Sequence, residues 1–426
     1  MFRDAMIGFI DTLLVEISAT LAKPAWRSCK LGSLTHSIEL RTRPRAIAGH
    51  ATEIARVTSG AKSMRMNPMG QLLSLLTGAL LAVQLFGFVA VAAGATPEVG
   101  LENGANSTNR APIKLIGDGA SFPAPLYLRW FRDYYKLHPT IRVDYQSTSS
   151  AGGIKDLIGG RVDFAGSDVR LDKQQQAQVP GGVRQVPMTA GAIVLVYHLD
   201  GIADLNLSRA SVIGILTGRI QRWNDAPIVA DNPDVALPDD PITLVVRGDG
   251  SGTTFHLTQH LSQASSEFAQ TIGVTMSPNW PNSLKQRGAL IRGKGNDGVA
   301  AFVRAIPGSI GYVQYAYGYL TGMSMAALQN RAGNLVAPGR ASFEAALDAI
   351  TTDPNAIADP DGDGSYPIIA VSWLLFRNQA DDPAKRQALL DVIDYALGPG
   401  QQVSEQLGYI RFSNLVSDRV RNLVKE

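Results

Sequence analysis

From Ile113 onward, strand-like and helix-like stretches alternate along the chain, and four of the junctions between them are short loops of Gly, Ser, Thr and Asp. Such alternation predicts an α/β fold built on a largely parallel sheet. Strands are expected over 113–116, 141–145, 192–197, 242–246, 309–313 and 368–376. Helices are expected over 124–136, 154–158, 209–216, 253–264, 299–305, 343–350, 384–397 and 415–424. With 45% hydrophobic and 18% charged residues over 426 positions, the chain can bury two or three ordinary cores.

Charge is divided unevenly. Residues 1–92 hold ten Lys+Arg against five Asp+Glu, which leaves 29 against 32 in the rest. A mildly acidic body lacks the basic surface that a nucleic-acid or anionic-membrane binder needs, so no nucleic-acid partner is expected. An anion would have to be held by a local site. The one cysteine, Cys29, stands outside the α/β body, which excludes disulfide frameworks, thiolate metal clusters and a catalytic thiol there.

The N-terminal part reads as targeting sequence. No charged residue occurs from Asn67 to Pro97, the apolar run follows Lys62 and Arg65, and it ends in Ala90-Val91-Ala92 and Ala93-Gly94-Ala95. This is the pattern of a signal peptide over 64–95 with an A-x-A cleavage site. A retained membrane anchor is the alternative, because about 20 apolar residues span a bilayer. Met64, Met66 and Met69 stand before the run, so residues 1–63 are expected to be a dispensable extension and 96–111 a linker.

The loops carry the chemistry. They are Gly117 to Ser121, Ser147 to Gly153, Ala165 to Asp168, and Arg247 to Thr253. A helix start has unpaired N–H groups and a positive dipole end, glycines let backbone approach a ligand, and hydroxyls add donors. Taken singly, each loop is also ordinary cap and turn material. Several of them in one α/β body point to an anion cradle beyond the strand ends. Arg247 suits bidentate oxyanion recognition, and Asp249 is placed to hold it. Asp168 is the misfit, since a carboxylate only accepts hydrogen bonds. If it meets the ligand, the ligand must bring a proton, as monohydrogen or dihydrogen phosphate does and sulfate at neutral pH does not.

Other constellations are weaker. His256 and His260 have metal spacing, but neither the intervening Glu nor a third ligand is evident, so no metal site is expected. Asp359, Asp361 and Asp363 imitate the start of a calcium loop, yet Ala370 occupies its twelfth position, and a solvated turn is expected. Ser251 is not in a nucleophile elbow, because Asp249 and Thr253 stand where glycines are required. Tyr127, Trp130, Phe131 and Tyr134 recur at helical spacing and are read as core.

The blocks GDGASFPAPLYLRW, YQSTSSAGGIKDLIGGRVDFAGSD, VVRGDGSGTTF and GKGNDGVAAFVRAIPGSIGYVQYAYG occur in this order. In them the chain resembles the phosphate-binding proteins of high-affinity phosphate ABC transporters, over about residues 112–426. The resemblance implies a type II periplasmic-binding-protein fold, two α/β lobes joined by a hinge with a ligand cleft between them. It assigns 112–187 and 375–426 to lobe I and 188–374 to lobe II. The ligand set it implies is Ser121, Phe122 (through its main-chain N–H), Ser150, Asp168, Arg247, Ser251, Gly252 and Thr253. Ser121, Ser150 and Asp168 would form one wall of the cleft and Arg247 to Thr253 the other.

This chain departs from the family with Ser121 where Thr is common and with Ser147-Thr148-Ser149 where a Gly-rich triplet is usual. The Gly293 to Asp297 block belongs to the family pattern outside its phosphate shell and is read as structural. The implied protein is a periplasmic monomer that binds inorganic phosphate, needs no cofactor, catalyses nothing and serves a membrane permease. A secreted phosphatase-like enzyme and a binder of another tetrahedral oxyanion are the alternatives.

Overall fold

The computed structural model describes residues 112–352, 358–379 and 381–425. The expected extension, signal peptide, linker and Cys29 lie outside the described residues. Among the described residues no helix is long and apolar enough to cross a membrane.

Two parallel wings are stitched together by antiparallel strands. In the first wing β1 (Ile113–Gly119) lies between β2 (Ile141–Ser147) and β3 (Phe164–Ser167), parallel to both. In the second, β6 (Thr243–Arg247) lies parallel to β7 (Leu290–Gly293) and β8 (Ser309–Gln314). Between them run β4 (Val183–His198) and β12 (Ile369–Arg377). β12 is antiparallel to both β3 and the first part of β4, whereas the last part of β4, from Ile193, is antiparallel to β8. The sheet order is therefore β2-β1-β3-β12-β4-β8-β6-β7, with β9 (Ser324–Met325) at the side of β4. A small second sheet joins β5 (Asn206–Leu207), β10 (Ala327–Gln329) and β11 (Leu335–Val336).

The expected largely parallel sheet is thus corrected to a mixed one. Within each wing the strands linked by successive crossovers run parallel, and the long connecting strands reverse direction because each carries the chain from one wing to the other. Three loops are also corrected. Gly117 to Gly119 continues β1, Phe164–Ser167 is a strand, and the stretch from Ser150 already belongs to helix α2 (Ser150–Ile158). Small residues hid these elements, since Gly and Ser have low strand and helix propensity and gain order from tertiary pairing.

Local chemistry explains the helices that shape the cleft. Helix α1 (Ala124–Leu137) buries Tyr127, Trp130, Phe131 and Tyr134, the stripe expected from its spacing. The Trp130 indole N–H reaches Gly400 O at 2.6 Å, so a ring that contributes roughly 2–3 kcal/mol by burial keeps its polar edge satisfied. The cap of α2 is Ser149, whose hydroxyl accepts from Gly152 N–H. Helix α3 (Gly252–Ala264) is capped by Ser251 in the same way, through Thr254 N–H. Helix α4 (Gly295–Ala305) begins four residues before its expected start, at a glycine with φ +70°. The C-terminal helices α5 (Pro383–Leu397) and α6 (Asn414–Lys425) return to the first wing, where α5 packs on α1 and β1.

Candidate functional site

The four loops meet. They lie at the carboxyl ends of β1, β3 and β6 and at the starts of α2 and α3, the edge where an open α/β sheet exposes its helix N-termini. Two glycines make the approach possible. A Cβ on Gly119, whose φ is +134°, would lie 2.1 Å from Gly166 O, so β1 and β3 can touch only with glycine there. A Cβ on Gly252 would stand 2.6 Å from Asp168 Cβ and from Ser150 Oγ, and 2.7 Å from Asp168 Oδ2.

Hydrogen bonds cross between the walls. Gly252 N–H donates to Ser150 Oγ at 3.2 Å, and Ala151 N–H donates to Gly250 O at 3.0 Å. The ring of His256, on α3, bonds Asp168 O at 2.8 Å, and because a carbonyl only accepts, Nε2 carries the proton. Burial holds this imidazole below its ordinary range, which keeps it neutral.

On the second wall Arg247 is buried and forked onto Asp249. Its Nε donates to Oδ1 at 2.9 Å and one terminal nitrogen to Oδ2, while Nη1 reaches Thr253 Oγ1 at 3.3 Å. The expected Arg247–Asp249 pair is present. Asp249 is itself fixed by Gly295 N–H at 3.0 Å.

On the first wall Ser121, Ser150 and Asp168 are all buried, and Phe122 packs fully buried behind them. Tyr409 Oη donates to Phe122 O at 2.6 Å, and Tyr317 Oη to Ser121 O at 2.6 Å. These bonds fix the first turn after β1. Asp168 is 3% exposed, and burial pushes its carboxyl up to about 7. The Ser372 hydroxyl, the Arg247 charge and the Ser150 hydroxyl each pull it back toward the ionised form. Asp168 thus titrates near neutrality, inside a cluster of donors.

Two members of the site were not expected. Asn296, in the block read as structural, joins the walls: its N–H and Nδ2 both donate to Ser121 Oγ at 2.9 Å, and Nδ2 also reaches Thr253 Oγ1 at 3.2 Å. Its Oδ1 accepts from Gln314 N–H at 2.9 Å, so the amide orientation is determined. The helix-opening Gly295-Asn296-Asp297 was the available signal, because it shares Gly and Asp with the other loops and adds an amide. The second is Ser372, whose Oγ donates to Asp168 Oδ1 at 2.8 Å from the middle of β12. A serine inside an apolar strand offered no local sign of this contact.

The remaining constellations find structural roles. His260 Nδ1 bonds Ala358 O at 2.8 Å and lies 3.5 Å from Asp359, which pairs with Arg209 at 2.6 Å. Asp359 is therefore buried, which corrects the solvated turn expected for the whole 359–364 segment. Asn330 Nδ2 ties that turn down through Gly362 O and Asp363 O, each at 2.9 Å. Among the described residues no group of three or more His, Cys, Asp or Glu is arranged to hold a metal.

Comparison with known proteins agrees with this geometry. A sequence model described as the PBP superfamily domain matches residues 105–399. The phosphate-binding protein PstS of Xylella fastidiosa (strain 9a5c) is 39% identical over 305 residues, 70% of this chain and 81% of that protein. PstS of Methanocaldococcus jannaschii is 32% identical over 328 residues, 71% of this chain and 84% of that protein. Among solved structures, a phosphate-binding protein from Stenotrophomonas maltophilia superposes with a TM-score of 0.56 at 20% identity, covering 73% of this chain and 93% of that one. This last likeness supports the type II periplasmic-binding-protein fold, with two α/β lobes about a cleft.

Proposed function

We propose, from the premise that this chain belongs to the PBP superfamily and within it to the phosphate-binding proteins, that it captures inorganic phosphate in the periplasm for the permease of an ABC-type importer. One observation carries the reading. Four buried hydroxyl oxygens already accept from protein N–H groups, which leaves the protons of Ser121, Ser251 and Thr253 to donate, while that of Ser150 is held by Asp168 Oδ2 at 3.4 Å until a ligand takes it. Ser121 accepts from Asn296, Ser150 from Gly252 and Asp168, Ser251 from Thr254, and Thr253 from Arg247 and Asn296. The cradle is thereby polarised toward an anion before any ligand arrives.

In this reading Ser121, Ser150, Ser251 and Thr253 donate to phosphate oxygens. Phe122 and Gly252 add main-chain N–H groups from the two walls. Arg247, held flat by Asp249, supplies a charge-assisted fork whose orientation costs nothing further at binding. Asp168 in its ionised form accepts the ligand's proton, and an oxyanion without one meets an unshielded negative oxygen in a desolvated place. Specificity follows from that single acceptor.

The lobes divide near residues 187 and 375, inside β4 and β12, so that 112–187 with 375–426 close against 188–374 on the ligand. The protein acts as a monomer that catalyses nothing, needs no cofactor and reaches the periplasm through its signal peptide. Calorimetric titration of the purified protein tests the proposal, with sulfate as competitor and a chromogenic phosphate monoester as substrate. Phosphate is expected to bind one to one, sulfate to be excluded at mildly alkaline pH, where Asp168 is ionised, and the ester to be left intact. Equal heats from phosphate and sulfate, or turnover of the ester, would overturn it.

A further inference from the structure

The two oxygens of the Asp168 carboxylate stand in different surroundings. Oδ2 accepts from Ser150 Oγ at 3.4 Å and lies 2.7 Å from the place of a Cβ on Gly252, so it faces the other wall. Oδ1 turns the other way and accepts from Ser372 Oγ at 2.8 Å, with Ser372 wholly buried. Strand register brings the two residues together. Trp373 faces Ser167 across the antiparallel β12–β3 pair, which sets Ser372 beside the residue that follows Ser167. On its other side β12 slips at the same point: Ser372 faces Thr189 and Trp373 faces Pro187, leaving Met188 as the extra residue of a bulge. A bulge re-aims neighbouring side chains, and Pro187 has no N–H to give to a regular ladder.

Resting on the phosphate reading, we propose that Ser372 is a positioning residue for anion selection, holding Oδ1 from behind so that Oδ2 alone meets the ligand. A donor on Oδ1 favours the ionised carboxylate over the acid, and only the ionised form rejects an oxyanion that lacks a proton. When the hydroxyl is removed, Oδ1 stays buried without that donor and the acid form gains. A carboxylic acid at this position donates, and sulfate then finds a partner there.

The groups around Asp168 leave the effect readable. Arg247, from the end of β6, is the cation acting on it, and His256 meets only its main-chain carbonyl. The phenols of Tyr127, Tyr145, Tyr317 and Tyr409 feel its charge, and burial keeps each of them protonated well above neutral pH. Asp168 therefore titrates near neutrality in this set, and Asp118 of the adjacent β1, also pushed up to about 7, is common to every variant and cancels in their comparison.

The test is sulfate competition against phosphate, followed by calorimetry from about pH 5 to about pH 9 in wild type, Ser372→Ala, Ser372→Cys and Ser372→Thr. The pH below which sulfate begins to compete should rise by roughly one unit in Ser372→Ala, the effect of one lost hydrogen bond to a charged group. Ser372→Thr, which keeps the hydroxyl, should restore the wild-type profile, and Ser372→Cys, a weaker donor of similar size, should fall between. A Ser372→Ala profile that coincides with wild type sinks the proposal. So does a uniform loss of affinity at every pH, which would mark a merely structural role. Should the wild type bind no phosphate at all, the functional reading itself fails first, and the two failures are distinguished.

Discussion

The two walls of the cleft use the same local device and end with opposite electrostatic character. Each presents a helix start capped by a serine, Ser149 before α2 and Ser251 before α3. The second wall adds Arg247, a permanent cation braced by Asp249, together with the amide of Asn296. The first adds Asp168, a buried carboxyl that turns into an acceptor near neutral pH. In the proposed function, affinity is therefore assigned to one side and selectivity to the other. A comparison within the first wing shows why position matters. Asp118 is also pushed up to about 7, by burial and by the neighbouring carboxylate of Asp156, but among the described residues no permanent cation braced like Arg247 faces it across a cleft.

Removing the cation should break the contrast most severely. Arg247→Ala strips the charge from the second wall and leaves Asp249 without its partner, and titration should show phosphate affinity reduced by about a thousandfold, in line with about 2–5 kcal/mol for truncating a buried charged pair. Retention of wild-type affinity would remove Arg247 from the site. Forcing the walls apart should cost less. In Gly252→Ala the new methyl meets Asp168 and Ser150 at 2.6 Å only when the walls are together, so the variant should fold normally and lose roughly ten- to a hundredfold in phosphate affinity. Unchanged binding would mean that the closed arrangement is not the one that holds the ligand.

Asp168→Asn sharpens the contrast instead of breaking it. The amide offers a donor where the carboxylate offered only acceptance, so phosphate binding should fall by no more than about tenfold while sulfate becomes a competitor at mildly alkaline pH, where the wild-type carboxylate rejects it. Persistent exclusion of sulfate would place selectivity elsewhere. A separate effect is on stability. Asp168 has a folded value of about 7 against an ordinary 3.8, so between these the folded protein holds a proton that the unfolded chain has released, and stability falls as pH rises through the window. His256 and His260, held low by burial, act in the opposite sense below their ordinary value of 6.5. The informative quantity is therefore the difference between variants. Without phosphate, Asp168→Asn should gain in Tm relative to wild type as pH rises from about 4 to about 7, and a constant difference would contradict the burial argument.

Much of this was legible locally. The aromatic stripe of α1, the serine caps and the Arg247–Asp249 pair all follow from residues within a few positions of one another. Element boundaries among glycines and serines were not legible. Phe164–Ser167 is a strand because β1 and β12 flank it, and nothing in its own four residues demands that. The mixed sheet was hidden for a related reason, since alternation of strands and helices does not reveal which strands the chain uses to pass between wings.

What the sequence determined by itself was the local chemistry of each corner: which loops are built of small donor residues, which side chain carries a permanent positive charge, and which one is a carboxyl. Caps, turns and side-chain polarity are settled over a few residues, so they survive in any context. Only the tertiary structure decided that Ser372, 204 residues beyond Asp168, stands behind its carboxylate, and that Asn296 joins Ser121 to Thr253. Strand register and wing closure are set by the burial of whole faces at once, and no short stretch of chain contains that information.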